Sequence, residues 1–500
     1  MENLSRDIGG TLKRNSAMRV VRLPPDFRKP LDASPKAKAN LERFAPSHRK
    51  AYVDWSRRRN GPKRGPAASC RRSSASPEGR APGTHRIEGR RMRSKGLRQE
   101  TGIETRVKVA VLGTGGLGRV IAIELASDRH VDEIVIVDKR GDRSRALKSI
   151  GKTANVTALE ADVTDRDALR KVLSGADVAV NATLPDYNLT IMDACFEAAC
   201  GYVDSSGCSP AQEGEQRGVL EQLALDPKWR ERGITALVSL GSDPGLSNIM
   251  ARVAAEPFET IDKILVRKAA TGDKGTDGFP LYSREIFVRD ALSRPVVWNG
   301  KGFVEREPVS EEEDFEFPPP IGTRHVHLFR HEEVLTLPGR LGKPVGHVDY
   351  KHDINPELVR AIQAFQALGL FSPARKIKVG TTQIPFRDAF LSAIPEPSTL
   401  IGPLAGALGI VVEVHGKKRG GSKARVRASI ALEHREANRR RGTTAERFLT
   451  AAASAAGAVL IETKRVPRAG VLAPEEIPPE VILPELESRG VAFLIEELKG

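Results

Sequence analysis

The run VKVAVLG at residues 107–113 is apolar apart from Lys108. It passes through Gly113-Thr114-Gly115-Gly116-Leu117-Gly118 into RVIAIELA, where apolar residues recur at helical spacing. A short unbroken apolar run reads as a strand buried on both faces. Strand, glycine turn and helix in that order give the GxGxxG spacing a physical meaning. Gly113 permits the tight turn, Gly115 lets a pyrophosphate approach the backbone, and Gly118 lets the helix lie close to the strand. The helix N-terminus then faces the anion. Gly113, Thr114, Gly115, Gly116, Leu117 and Gly118 are therefore the predicted phosphate-binding residues.

The second half of a dinucleotide site follows. EIVIVD ends at Asp138, twenty residues after Gly118, where an acid accepts hydrogen bonds from the adenosine ribose hydroxyls. A carboxylate repels a 2′-phosphate, which favours NAD. Lys139, Arg140 and Arg143 come next and could neutralise that phosphate, so NADP stays open beside the lean to NAD. NVTALEADV predicts a third strand ending near Asp162 and Val163, with Thr164 capping the helix DRDALRKVL. ADVAVNATLP predicts a fourth, whose end at Asn181 and Ala182 falls beside the nicotinamide ribose. LTIMDACFEAAC is helical, and GYVDSSG returns Asp204 and Ser205 to the same sheet edge. ALVSLGSDPG adds a strand, and Asp243-Pro244-Gly245 opens the helix LSNIMARVAAE. Strands alternating with helices at this spacing predict a Rossmann-type, doubly wound parallel sheet.

Composition divides the chain further. The net charge is +15 over 500 residues, but residues 1–104 hold 26 Lys and Arg against 10 Asp and Glu, leaving 53 basic and 54 acidic groups elsewhere. The basicity belongs to the leader and says nothing of the body's ligand. Rich in Pro, Ser, Gly and Arg, the leader is predicted to be mostly disordered, with a short helix near residues 41–56 in which Tyr52 and Trp55 pack behind a Ser47 cap. VRLPPDF through PSHRKAYVDW resembles the C-terminal helices of a small bacterial family linked to bacteriocin protection. A disordered tail, or translation upstream of a start at Met92, is favoured over a nucleic-acid arm. No stretch is long and apolar enough for a transmembrane helix. Four cysteines make neither a disulfide framework nor a CxxC zinc pair. The expectation is a cytoplasmic protein with no membrane partner.

The four pieces VAVLGTGGLGRV, DVAVNATLPDYNLTIMDAC, YVDSS and GSDPGLSN, with the ending RAGVLAPEEIPPE…LPELESRGV, are similar to the saccharopine dehydrogenase-like family of NAD(P)-dependent oxidoreductases. The resemblance implies hydride transfer at a carbon–nitrogen bond of an amino-acid-like substrate, as with saccharopine, carboxynorspermidine or lysine, and a homodimer. It also implies a layout: a Rossmann domain at residues 105–256, a substrate domain at 257–442 of α+β type with a largely antiparallel sheet, and a segment at 443–500 that returns to pack on the Rossmann domain. Strand-like runs such as IDKILVRKA and HVHLFRHEEVLTL fit it, and IVVEVHG…ARVRASIAL reads as a hairpin with a basic tip. TTAERFLTAAASAAG reads as a close-packing structural helix.

Chemistry at such a bond needs a proton carrier beside the reacting nitrogen and cations for substrate carboxylates. Asp243 either positions an amine or caps its helix, with Pro244 at the first helical position. Asp243, Tyr187 and His325 are the catalytic candidates. Asn188, Asp204, Ser205, Pro244, Gly245, Asn248, Arg267 and Lys268 are the substrate candidates. His325 and His327 share a strand face, but the sequence shows no third ligand beside them, so no metal is expected. Asp349, Lys351 and His352 read as a polar loop. Two other readings compete with the amine oxidoreductase: a dinucleotide-binding sensor or scaffold without catalysis, and an oxidoreductase with a non-amine substrate.

Overall fold

The computed structural model describes residues 107–150, 154–207, 218–272, 280–394 and 404–498. The leader, with its helix near residues 41–56, lies outside them, as does Cys208. Residues 103–500 form one compact unit.

Strand β1 (Lys108–Leu112) feeds through the glycine turn into α1 (Gly116–Ala126). The alternation continues with β2 (Glu133–Asp138), α2 (Gly141–Arg145), β3 (Asn155–Glu160), α3 (Arg166–Leu173), β4 (Val178–Asn181), α4 (Asn188–Ala198), β5 (Gly201–Asp204), α5 (Gly218–Ala224), α6 (Asp226–Arg232) and β6 (Thr235–Leu237). These strands pair in parallel in the order β6-β5-β4-β1-β2-β3. Their side chains alternate between two apolar layers. Val109, Val111, Ile134, Ile136, Val178 and Val180 pack into one, and Ala110, Leu112, Val135, Val137 and Ala179 into the other. Cys195 and Cys200 are buried in the second layer. A sheet covered on both faces is what near-continuous apolar strands require. The order in which strands are added reverses between β1 and β4, which opens a crevice at their carboxyl ends.

Two boundary readings change. Asp165 caps α3, accepting from the amides of Asp167 and Ala168 at 3.0 Å each. Thr164, the predicted cap, instead donates its amide and hydroxyl to Asp162 Oδ1. The helix after Asp243-Pro244 begins later than the sequence implies: α7 spans Leu246–Ala255 with Gly245 as its cap residue, so Pro244 is not at its first position.

After α7 comes the long strand β7 (Phe258–Ala270). Then follow α8 (Arg284–Leu292), β8 (Val296–Trp298), β9 (Phe303–Glu305), β10 (Glu313–Phe317), β11 (Gly322–Leu328), α9 (Glu333–Arg340), β12 (Val348–His352), α10 (Pro356–Ala367), β13 (Lys376–Val379), β14 (Thr382–Pro385), α11 (Phe386–Ala393), β15 (Ala407–Lys418) and β16 (Lys423–Glu433). The last elements are α12 (His434–Arg441), α13 (Ala445–Glu462), β17 (Gly470–Leu472), α14 (Pro479–Ser488) and β18 (Leu494–Leu498). The second sheet runs β10-β11-β12-β7-β15-β16-β18, antiparallel except for β7 with β12. The β15–β16 hairpin turns at Lys418–Lys423. Asp349, Lys351 and His352 lie in β12 rather than in a loop. All five residues of this strand are buried, and charge pairing replaces the water that their polarity suggested: Asp349 with Arg267, Lys351 with Glu313.

The C-terminal stretch divides. Strand β17 extends the first sheet beside β6, and α13 lies against it, where a Cβ on Gly457 would meet Leu240 Cδ2 at 2.4 Å. Strand β18 pairs with β16 in the second sheet instead. Among the described residues, no helix is long and apolar enough to cross a membrane.

Candidate active site

A cleft of about 820 Å³ opens at the carboxyl ends of β1 and β4 and runs between the first sheet, α8 and α13. At one end stands the glycine turn. Gly113 has φ +91°, and a Cβ there would lie 2.9 Å from Ala182 O. On Gly118 a Cβ would meet Gly113 O at 1.9 Å, whereas on Gly115 it would meet nothing within 4 Å. Open space over Gly115, backed by the N-terminus of α1, is the cradle that a pyrophosphate fills. The Arg447 guanidinium sits against Gly116, where a Cβ would lie 2.9 Å from Nε. A cation from α13 thus joins the phosphate end.

Asp138 Oδ2 accepts from the Thr114 amide (2.8 Å) and hydroxyl (2.6 Å), and Oδ1 from the Arg140 amide (2.9 Å). Burial pushes its carboxyl up, but these bonds outweigh burial and hold it below the ordinary value. Asp138 is thus a fixed carboxylate on the cleft wall. Lys139, Arg140, Arg143, Asp162, Val163, Asn181 and Ala182 line the same wall, as do Gly113, Gly115, Gly116 and Leu117. Thr114 and Gly118 do not reach the cleft; one braces Asp138 and the other seats α1.

Below the middle of the cleft lies a buried polar web. Asn181 Nδ2 donates to Asn188 Oδ1 (2.8 Å), and Asn188 Nδ2 to Asp204 Oδ2 (3.3 Å). Asp204 also accepts from the Ser239 amide and Gln222 Nε2, each at 2.6 Å. Burial pushes the Asp204 carboxyl up to about 7. Asn188, Asp204 and Ser205 border the cleft, yet the Asp204 side chain serves as a brace. Tyr187 lines the cleft from the 3-10 turn Pro185–Tyr187.

The far end carries the charge cluster. Lys268 Nζ lies 2.9 Å from Asp243 Oδ2 and 2.8 Å from Glu446 Oε1. Tyr350 OH donates to Asp243 Oδ2 at 2.8 Å, and Ser242 Oγ donates to Oδ1 at 2.9 Å. His331 stacks on Tyr350 with ring centroids 3.9 Å apart. Its Nε2 lies 3.7 Å from Asp243 Oδ2, and its Nδ1 bonds Glu333. Burial pushes the Asp243 carboxyl up, but the Lys268 and His331 charges outweigh it and hold it below the ordinary value. For Lys268, burial opposes the charge, and the two carboxylates more than offset it, so its pKa is raised. For His331, burial is likewise outweighed by Glu333 and Asp243, and its pKa is raised. The arrangement is a fixed cation between two carboxylates beside an imidazole that holds its proton more firmly than usual.

Several candidates lie elsewhere. Asp243 does not cap α7. Gly245 and Asn248 are away from the cleft: Asn248 Oδ1 accepts from the Gly245 amide, and its Nδ2 donates to Glu475 Oε2, each at 2.9 Å. Pro244 borders the cleft. Arg267 is one residue from Lys268 on a strand and so faces the other side, where Nη1 lies 2.6 Å from Asp349 Oδ1 and Nε 2.6 Å from Glu313 Oε1. The Asp349 carboxyl, pushed up by burial, is brought down to about 2 chiefly by that guanidinium. His325 is exposed on β11 and does not line the cleft; it stands with His327 and Glu312, a third group that the His-x-His spacing did not reveal.

Glu446, Tyr350, Tyr282, Arg284, Arg289 and Arg330 were not singled out by the sequence. Tyr350 apart, they border the cleft. Glu446 begins a helix whose small residues read as packing alone, and an acid in a first turn is ordinarily a dipole complement. His331 was visible only as one of a group of histidines.

Residues 109–237 match the family model described as Saccharopine dehydrogenase NADP binding domain, so the resemblance read from the motifs holds. Residues 20–56 match a second model, Bacteriocin-protection, YdeI or OmpD-Associated. The chain is 25% identical over 393 residues to carboxyaminopropylagmatine dehydrogenase of Synechocystis sp., covering 77% of this chain and 96% of that one. It is 25% identical over 404 residues to carboxynorspermidine synthase of Vibrio alginolyticus, covering 78% and 96%. Among solved structures, apo saccharopine dehydrogenase (L-Glu forming) of Saccharomyces cerevisiae superposes with a TM-score of 0.58 at 15% identity, over 79% of this chain and all of that one. The last comparison shows a shared fold.

Proposed function

We propose that this chain is an NAD(P)-dependent oxidoreductase of the saccharopine dehydrogenase-like type, acting on a CH–NH or CH–NH2 bond of an amino-acid-like substrate. One observation carries the reading: the glycine turn and the Asp243–Lys268–Glu446–His331 cluster occupy the same cleft. A scaffold that only bound dinucleotide would have no use for a lysine buried between two carboxylates at the end away from the phosphates. The names of the relatives point the substrate towards a carboxylated secondary amine.

In this reading a bound dinucleotide would supply hydride chemistry at the carbon of the C–N bond. The Gly115 and Gly116 backbone and Arg447 would hold its phosphates, and Asp138 would hold the ribose. That carboxylate is the ground for preferring NAD. His331 carries the proton to and from the substrate nitrogen. Lys268 and Asp243 fix the field around it, the ammonium opposing a second positive charge unless the nitrogen gives its proton away. Arg330 and Arg284 face the substrate carboxylates. Tyr187 lies between the two ends as a contact for the substrate. The same resemblance supports a homodimer working in the cytoplasm; sedimentation equilibrium tests the first.

The test is a fluorescence titration of the full chain with NADH and with NADPH. Saccharopine, carboxynorspermidine and carboxyaminopropylagmatine are then added to the oxidised cofactors while reduced-ring absorbance is followed. Tighter binding of NADH and turnover of one of the three is expected. Binding without turnover of any of the three would overturn the secondary-amine substrate, and no binding would overturn the nucleotide site.

A further inference from the structure

The edge of the second sheet holds a cluster that the cleft does not use. On β11, His325 and His327 are two residues apart and share a face. Asp314 lies opposite His325 in the β10–β11 register, and Glu312, one residue before the start of β10, falls opposite His327 on that same face. His325 Nδ1 is 2.9 Å from Asp314 Oδ1, a contact in which the ring donates and the carboxylate accepts. On the other side of the ring, His325 Nε2 lies 3.4 Å from Glu312 Oε2. His327 Nδ1 lies 3.9 Å from the same oxygen. The His327 side chain is only 4% exposed, and its Nδ1 is buried with no hydrogen-bond partner.

A buried imidazole nitrogen without a partner calls for an explanation. One carboxylate oxygen facing two imidazole nitrogens cannot be satisfied by one shared proton, because a proton bridges only a single pair. A divalent cation bridges all three. The donor atoms of Glu312, His325 and His327 all lie within 4.8 Å of one another, and a tetrahedral ion with bonds of about 2.0–2.1 Å needs only small side-chain rotations to engage them.

We propose that Glu312, His325 and His327 form a binding site for a divalent transition-metal ion of the zinc type, with water at the remaining position. Two imidazoles and a carboxylate suit zinc and its neighbours and not calcium or magnesium, which take oxygen ligands. Asp314 is the outer carboxylate that orients a ligating histidine. The site clamps edge strand β10 to β11. None of its three residues lines the cleft, and the reading does not depend on the reaction proposed above, so either can fail without the other.

The test titrates the full chain with zinc chloride against a chromophoric chelator, and with cobalt chloride to read the visible absorption of a low-coordinate ion. One zinc per chain is expected. Glu312→Gln and His325→Gln lie on exposed side chains and should leave the circular dichroism spectrum unchanged. Each should weaken zinc binding by at least about tenfold and remove the cobalt band, while His130→Gln leaves both intact. Absence of binding with zinc in excess over protein, or equal affinity in the Glu312 and His325 variants, would overturn the site.

Discussion

Lys268 Nζ makes two close contacts to carboxylates, Asp243 and Glu446, from a side chain 3% exposed. Replacing it by Met leaves two buried acids facing each other, a loss of about 3–5 kcal/mol when one partner of a buried pair is removed. Lys268→Met is therefore expected to lower the urea midpoint. In the folded fraction it should reduce kcat at least about a hundredfold, with NADH affinity little changed; near-normal turnover would remove Lys268 from the mechanism. The pair's pH window follows from the directions of its shifts. Asp243 is depressed, so its contribution is present above 3.8 and lost as pH falls through its lower folded value. Lys268 is raised, so its contribution is complete below 10.5 and lost only as pH rises through its higher folded value. The glycine turn supplies a second pair of outcomes. With open space above it, Gly115→Ala should cost no more than about 1 kcal/mol in stability yet weaken dinucleotide binding. Gly118→Ala drives a methyl into the Gly113 carbonyl and should destabilise by about 1–3 kcal/mol. Thermal melts beside cofactor titrations separate the two. Both glycines were legible in the sequence, because their roles depend on backbone within six residues. Glu446 was not, since its partner Lys268 is 178 positions away.

Elements meet at the short 3-10 turn Pro474–Glu476, which brings Glu475 against α7. Glu475 is fully buried, accepts from Asn248 Nδ2, and is pushed by burial to about 7. A carboxyl raised in the fold contributes its full stability below its ordinary 4.5 and loses it as pH rises to about 7. Glu475→Gln is accordingly expected to match the parent at about pH 4.5 and to exceed it by about 1–3 kcal/mol at about pH 8. Urea denaturation at both values checks this, and equal stability at the higher pH would show that Glu475 ionises freely. Element types were legible wherever the apolar pattern was continuous, as in β1, β2 and β15. β12 was misread because three of its five residues are charged or imidazole, and only neighbouring strands reveal that Arg267 and Glu313 neutralise them. The starts of α3 and α7 slipped by one or two residues, because several polar residues in a row can each offer a cap.

Across the whole molecule, the C-terminal segment completes both sheets. Asp226 Oδ1 accepts from the Val471 amide (2.9 Å) and from Arg468 Nη1 (2.6 Å), fastening β17 beside β6. A chain ending at residue 463 leaves the β6 edge uncovered and takes Leu472 out of its apolar layer. It is expected to collect in the insoluble fraction, and a soluble, cooperatively melting product would show the segment to be dispensable. The sequence by itself determined the parallel sheet, the glycine turn and the acid at Asp138, because strand periodicity and turn geometry are local properties of the chain. It also carried enough motif to mark the saccharopine dehydrogenase resemblance. Only the tertiary structure decided which charges share the cleft. Lys268 turns in and Arg267 out by the period of a strand, His331 meets Asp243 across 88 positions, and Glu446 arrives from a helix near the end of the chain. Buried charges find partners through space, and their separation along the chain leaves no pattern to read.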